Sequence, residues 1–206
     1  MIRAALHLVD EEGAGALTLR SVAGRMNSST ATLYRHFTDR DDLVRQVVDA
    51  VFAAITLDED LLATATWDQC VLHIAERLFA GMVRHRNVAP LMLEQVPAGP
   101  HALRLRERCL AVLLANGFDP ERAVQTYATL ARFVLGFGIQ LRSESDRTSS
   151  DPERSGFATV DPVELPATAR VESVGRIPLA EEFEYGLLLM ITGLRAYQEQ
   201  RGTASG

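Results

Sequence analysis

Residues 18–40 read Thr18-Leu-Arg-Ser-Val-Ala-Gly-Arg-Met-Asn-Ser-Ser-Thr-Ala-Thr-Leu-Tyr-Arg-His-Phe-Thr-Asp-Arg40. Leu19, Val22, Ala23 and Met26 fall at i, i+3, i+4 and i+7, so they share one face of a helix. Thr18 stands just ahead of that face and suits an N-cap, because its hydroxyl can accept a free backbone N–H. Asn27-Ser28 then breaks the pattern. Asn tolerates a left-handed backbone, and Ser28 is expected to cap a second short helix. On that helix Leu33 and Phe37, four apart, are the expected buried pair. Ser29, Thr30, Ala31, Thr32, Tyr34, Arg35 and His36 stand around them. Two helices joined this way also describe any helical hairpin with a solvated face. A helix that buries two residues and shows small, aromatic and cationic ones suits a DNA major groove better. Small side chains let it approach base edges, Thr and Ala methyls can touch thymine methyls, and Thr hydroxyls or Arg can hydrogen-bond bases. Tyr34 can bond a phosphate oxygen, which fixes register without reading sequence.

Charge agrees with that reading. Arg20, Arg25, Arg35 and Arg40 against Asp39 give residues 20–40 a local charge of +3, the sign a phosphate surface needs. The whole chain carries −6, which does not exclude a DNA binder, because the local field is the relevant quantity. The acidic balance on the remainder should discourage loose, sequence-independent binding. All 21 basic residues are arginine, as a GC-rich coding bias would produce.

Residues 1–56 resemble the DNA-binding domain of the tetracycline-repressor (TetR) family. The matching features are Ala5-Leu-His-Leu-Val9, Gly13 and Gly15, Leu17-Thr-Leu-Arg-Ser-Val-Ala23, Ala31-Thr-Leu-Tyr-Arg-His-Phe37 and Asp39-Arg-Asp-Asp-Leu43. The resemblance implies that Thr18, Tyr34 and Arg40 hold phosphates. It also implies that Arg20, Thr30, Ala31, Thr32, Arg35 and His36 lie near bases, with Ser29 in the same DNA-contacting run.

The 206 residues suffice for two small domains or one larger helical one. The expected fold class is all-α: a three-helix helix-turn-helix domain over 1–56, then a helical ligand-binding and dimerisation domain over 57–206. No run of about 18 apolar residues exists to span a membrane. Met1-Ile-Arg-Ala-Ala-Leu enters an amphipathic helix rather than a signal peptide. Cys70 and Cys109 form no metal or redox motif and read as buried thiols of a cytoplasmic protein. No metal and no cofactor are expected.

A first helix is expected over about 1–12, with Ile2, Ala5, Leu6 and Val9 inward. Another starts at Asp39, an N-cap with Asp42 three residues on, and carries Leu43, Val47, Val51 and Ile55 inward. Residues 57–66 read as a polar link. Helices follow from Trp67 to about Arg86 and from His101 to Asn116, the second closed by Gly117. Asp119-Pro-Glu opens one running to about Arg142. Residues 143–162 read as a mobile loop. A short helix is expected around 163–174 and a long one over about 179–201.

This second half resembles the tetracycline-repressor type of ligand domain. The resemblance rests on His85-Arg86 and the apolar segment to Pro97, Gly117-Phe118, Phe133-Val-Leu-Gly136, and Phe183 to Leu194. It implies a two-fold dimer, with Gly136, Phe137, Leu187, Met190, Ile191 and Leu194 at the interface. Such a dimer presents its reader helices about 34–36 Å apart and predicts a near-palindromic operator on double-stranded DNA. In tetracycline repressors a His after the His-Arg pair binds the drug's magnesium. Here that segment supplies Met92, a poor partner for a hard cation, so magnesium–tetracycline recognition is not expected. Trp67, Ile74, Leu78, Met82, Met92, Gln95, Tyr127, Phe133 and Phe137 could line an apolar pocket for a small apolar or aromatic effector, or could simply be core.

Three functions are therefore compared. The first is a repressor that an effector releases from DNA by shifting the helix begun at Asp39. A tenfold loss of DNA affinity would need about 1.4 kcal/mol of coupling. The second is a constitutive DNA-binding dimer with a filled core. The third, a helical enzyme, lacks a phosphate loop, a metal cluster or a nucleophile elbow, and His7, His36, His73, His85 and His101 show no catalytic spacing. The chain is not expected to be an enzyme.

Overall fold

The computed structural model describes residues 1–148, 161–171, 174–175 and 177–204. Among these the chain is helical throughout, with no strand. The helices are α1 (Ile2–Glu12), α2 (Leu19–Arg25), α3 (Thr30–Tyr34), α4 (Arg40–Ala53), α5 (Glu59–Thr64), α6 (Trp67–Arg84), α7 (Ala89–Glu94), α8 (Pro100–Ala115), α9 (Pro120–Thr148), α10 (Pro166–Val171) and α11 (Leu179–Ala204).

Local chemistry sets most boundaries. Thr18, Asp39 and Asp58 cap α2, α4 and α5, accepting from Ser21 N, Asp42 N and Leu61 N respectively. The last of these corrects the polar link, which holds a short helix with acidic residues in its first turn. α8 closes with Gly117 at φ 81°, and Gly117 N and Phe118 N bond back to Leu114 O and Leu113 O. Helix α9 continues past Arg142 to Thr148, so the expected loop begins later than its composition suggested; residues 149–160 of that loop lie outside the described residues.

One continuous apolar cluster runs through the molecule, from Ala5, Leu8 and Val9 of α1 to Phe183, Leu187 and Ile191 of α11. Helix α4 connects its two parts: it packs on α1 and also on α6, α7 and α8. The C-terminal half is built on α6, α8, α9 and α11 around an aromatic stack. Phe183 lies parallel to Phe79 with ring centroids 3.9 Å apart, and Phe133 and Phe137 close on it at 5.5 Å each. Two glycines permit this packing. A Cβ on Gly186 would meet the Phe133 ring at 2.8 Å, and one on Gly138 would run into the Met82 sulfur.

Both cysteines are buried. Burial pushes the Cys109 thiol up to about 12, so the nucleophilic thiolate is suppressed there. The native chain is expected to leave Cys109 unmodified by iodoacetamide at about pH 8, whereas the urea-unfolded chain reacts. Fast native alkylation of Cys109, read by peptide mass, would show that the packing around it opens.

Candidate nucleic-acid interface

The turn between α2 and α3 is fixed by backbone bonding. Asn27 takes φ 49°, and Asn27 N and Ser28 N bond to Gly24 O and Ala23 O. This is a Schellman closure with Asn in the left-handed position. The cap of α3 is Ser29 rather than Ser28. Ser29 Oγ accepts from Thr32 N at 3.2 Å and pairs with the Thr32 hydroxyl at 3.0 Å. Thr18 Oγ1 does the same for α2, accepting from Ser21 N at 3.0 Å.

Helix α3 has five residues, and Leu33 and Phe37 pin it to the core with essentially no exposed surface. Every other nominated side chain turns outward or lies at the edge. Thr18, Arg20, Ser29, Thr30, Ala31, Tyr34, Arg35 and His36 are exposed, Tyr34 by 62%. Thr32 and Arg40 are half-buried. An exposed tyrosine beside an exposed arginine offers an incoming phosphate both a hydroxyl and a cation.

The arginines divide into two classes. Arg25 is tied to Glu11 and Glu12 of α1. Arg40 donates from Nε to Leu17 O at 3.1 Å and pairs with Glu94 of α7, Nη1 to Oε2 at 2.7 Å. The hydrogen-bonded Glu94 carboxylate holds the Arg40 guanidinium above its usual value. Arg20 and Arg35 are exposed and enter no ion pair among the described residues, so they supply the field at α3.

Three polar ties join this half to residues 85–102, and periodicity signalled none of them. His85 Nδ1 lies 2.9 Å from Asp10 Oδ2, and Asn87 donates to Asp10 O at 2.9 Å. Arg40 meets Glu94 as above. Asp49 of α4, only 9% exposed, accepts from His101 N at 2.9 Å and Ala102 N at 3.1 Å, with His101 Nδ1 at 2.8 Å. Helix α8 begins after Gly99, which has no side chain to cap it, and borrows its acceptor from α4.

A model of the bacterial regulatory proteins of the tetR family matches residues 1–47, and a model of the tetracyclin repressor-like C-terminal domain matches residues 61–198. The chain belongs to the TetR family. It is similar to an HTH-type transcriptional regulator of Saccharopolyspora erythraea, 28% identical over 66% of this chain and 57% of that protein. The Escherichia coli tetracycline repressor protein class A from transposon 1721 is 25% identical over 94% of this chain and 88% of its own. The Streptomyces coelicolor TetR family protein ActR, solved in complex with actinorhodin, superposes with a TM-score of 0.81 at 26% identity, covering 95% of this chain and 94% of that one. As in other TetR family members, an N-terminal DNA-binding helix-turn-helix precedes a helical C-terminal domain, and the chain is a transcriptional regulator.

Within the family's C-terminal domain the nominated pocket residues are scattered through packed material. Ile74, Leu78, Met82 and Met92 are buried, and Phe133 and Phe137 belong to the aromatic stack. Trp67 sets its edge on Phe118 at 5.0 Å, Arg106 lies over the Tyr127 ring at 5.7 Å, and Gln95 is half-buried at the end of α7. A groove of about 380 Å³ lies elsewhere, between α9 and α11, lined by Phe118, Arg122, Thr126, Met190, Leu194 and Tyr197. Two nominated interface residues, Met190 and Leu194, line it. Two others, Leu187 and Ile191, are buried inside the monomer and have no surface to offer a second copy. The outward face of α11 is instead Tyr185, Leu188 and Leu189, and Gly136 of α9 is open. No helix among the described residues is long and apolar enough to cross a membrane.

Proposed function

We propose that this chain is a repressor that binds a near-palindromic operator as a homodimer through α3 and is released by a small apolar or aromatic effector. Residues 1–56 carry the DNA-reading part and residues 57–206 the effector and dimer parts. The observation that carries the DNA assignment is the bare face of α3, with Tyr34 and Arg35 outward and only Leu33 and Phe37 inward. Arg20, Thr30, Ala31, Thr32, Arg35 and His36 are assigned to bases and Thr18, Tyr34 and Arg40 to the backbone, with Ser29 in the same DNA-contacting run. Dimerisation through α9 and α11 is supported by the exposed apolar strip of Tyr185, Leu188 and Leu189. A small-molecule effector is supported by the ActR–actinorhodin complex, and an aromatic one by the phenylalanines at the centre of the C-terminal half.

Gel shifts on the DNA flanking its own gene test the assignment. Arg35→Ala or Tyr34→Ala should lower specific affinity about 5- to 150-fold, equivalent to about 1–3 kcal/mol, without lowering thermal stability. Equal affinities in wild type and both variants would refute the reader helix.

A constitutive DNA-binding dimer is the second reading, favoured by the tight closure of Met82 and Ala89 on Gly138 and of Phe133 on Gly186. Release of the operator by actinorhodin or by another small apolar or aromatic compound would decide for the effector.

A further inference from the structure

We infer that Glu94 is a built-in competitor of the DNA backbone for Arg40, so that α7 and a DNA phosphate cannot both hold that guanidinium; this rests on the DNA-binding reading above. Arg40 is the first residue of α4, six positions after Tyr34, on the helix whose cap Asp39 follows the reader helix. Its fork is already directed. Nε donates to Leu17 O at 3.1 Å, Nη1 to Glu94 Oε2 at 2.7 Å and Nη2 to Glu94 Oε1 at 3.4 Å. A guanidinium fork fits two carboxylate oxygens and two phosphate oxygens in the same way, so a phosphate is a direct substitute for Glu94.

The pair is not explained by helix electrostatics. A cation in the first turn of α4 and a carboxylate in the last turn of α7 each occupy the end that the helix dipole disfavours. They are 54 residues apart in sequence, and both side chains keep about two-fifths of their surface in water, Arg40 38% and Glu94 40%. The contact is therefore within reach of an incoming phosphate. Leu17 O keeps hold of Nε whichever partner the two terminal nitrogens take. While Glu94 is bound, Arg40 is neutralised and an extra carboxylate stands where a phosphate would sit. When DNA takes Arg40, the last residue of α7 loses its tie to α4. By linkage, anything that fixes α7 against α4 must weaken DNA binding by the same factor that DNA loosens α7.

The test uses a duplex recovered by the wild-type protein from a random-sequence library, with affinity read by fluorescence anisotropy at about 0.1 M salt. Glu94→Gln should tighten binding about fivefold, the scale of one partly exposed ion pair. In an Arg40→Gln background the same change should alter affinity less than about twofold. Hydrogen exchange adds a readout independent of affinity: saturating DNA should speed the amides of residues 93–96 in wild type and leave them unchanged in Arg40→Gln. Unchanged or weaker binding by Glu94→Gln overturns the competition. So does a fivefold gain that persists in Arg40→Gln, which would mark a general loss of negative charge. Failure of the DNA-binding reading looks different: the wild type recovers no duplex, or recovers one that Arg35→Ala binds equally well.

Discussion

Phe183→Ala is expected to destabilise the chain by about 3–5 kcal/mol, a large share of the total stability of a domain this size. Phe183 is 2% exposed and touches three other phenylalanines, on α6 and α9, so its ring joins three helices at one point. The loss combines transfer of a buried ring with the cavity it leaves, and each aromatic pair adds about 0.5–1.5 kcal/mol beyond area. Urea unfolding at one fixed protein concentration measures it, since any self-association makes the midpoint concentration-dependent. The hole would be lined by Phe79, Phe133 and Phe137, and benzene should restore part of the midpoint by filling it. A loss below about 1 kcal/mol would show that the four rings are not close-packed.

Asp49→Ala should cost about 2–4 kcal/mol although it removes no apolar surface. The carboxylate satisfies two backbone N–H groups at the start of α8 and the His101 ring, and no side chain of α8's own N-cap can replace it. Charge-assisted hydrogen bonds contribute about 1.5–3 kcal/mol, and a buried N–H left without an acceptor adds a penalty of about 1–3 kcal/mol. Asp49→Asn keeps one carbonyl oxygen and should recover about half of the loss. A double-mutant cycle with His101→Ala isolates the side-chain part: additive losses would show that the two side chains do not interact. Gly99 gives an independent check. A Cβ there would collide with the Asp49 carboxyl group, so Gly99→Ala should reproduce a large part of the Asp49→Ala effect.

What could be read in the sequence was local. Thr18, Asp39 and Gly117 announce helix ends because a cap needs only its own few residues. Leu33 and Phe37 announce burial because they repeat at helical spacing. The Ser28 and Ser29 pair shows the limit, since either serine could cap and the backbone turn at Asn27 decides. Helix α5 was hidden by its acidic composition, although the Asp58 cap was in plain view. On α11 the run from Leu187 to Ile191 is apolar on all sides, so spacing carries no phase. Packing of Phe183 against Phe79 and Phe133 sets the phase of the helix, with Leu187 inward and Leu188 and Leu189 out. The ties of Asp10, Arg40 and Asp49 to residues 85–101 join positions 52 to 77 residues apart. Each partner alone is an ordinary polar residue near a helix end, and only the tertiary structure pairs them.

The five residues of α3 are too few to be helical on their own. Its order is lent by Leu33, Phe37 and the Ser29 cap, while Thr30, Ala31 and Tyr34 stand exposed. Stability and target choice are thereby assigned to different residues of one short segment. Substitutions at Thr30, Ala31, Arg35 or His36 can accumulate with little change in melting temperature, whatever they do to the preferred base sequence. A lineage carrying this segment can thus drift from one operator to another through intermediates that all stay folded.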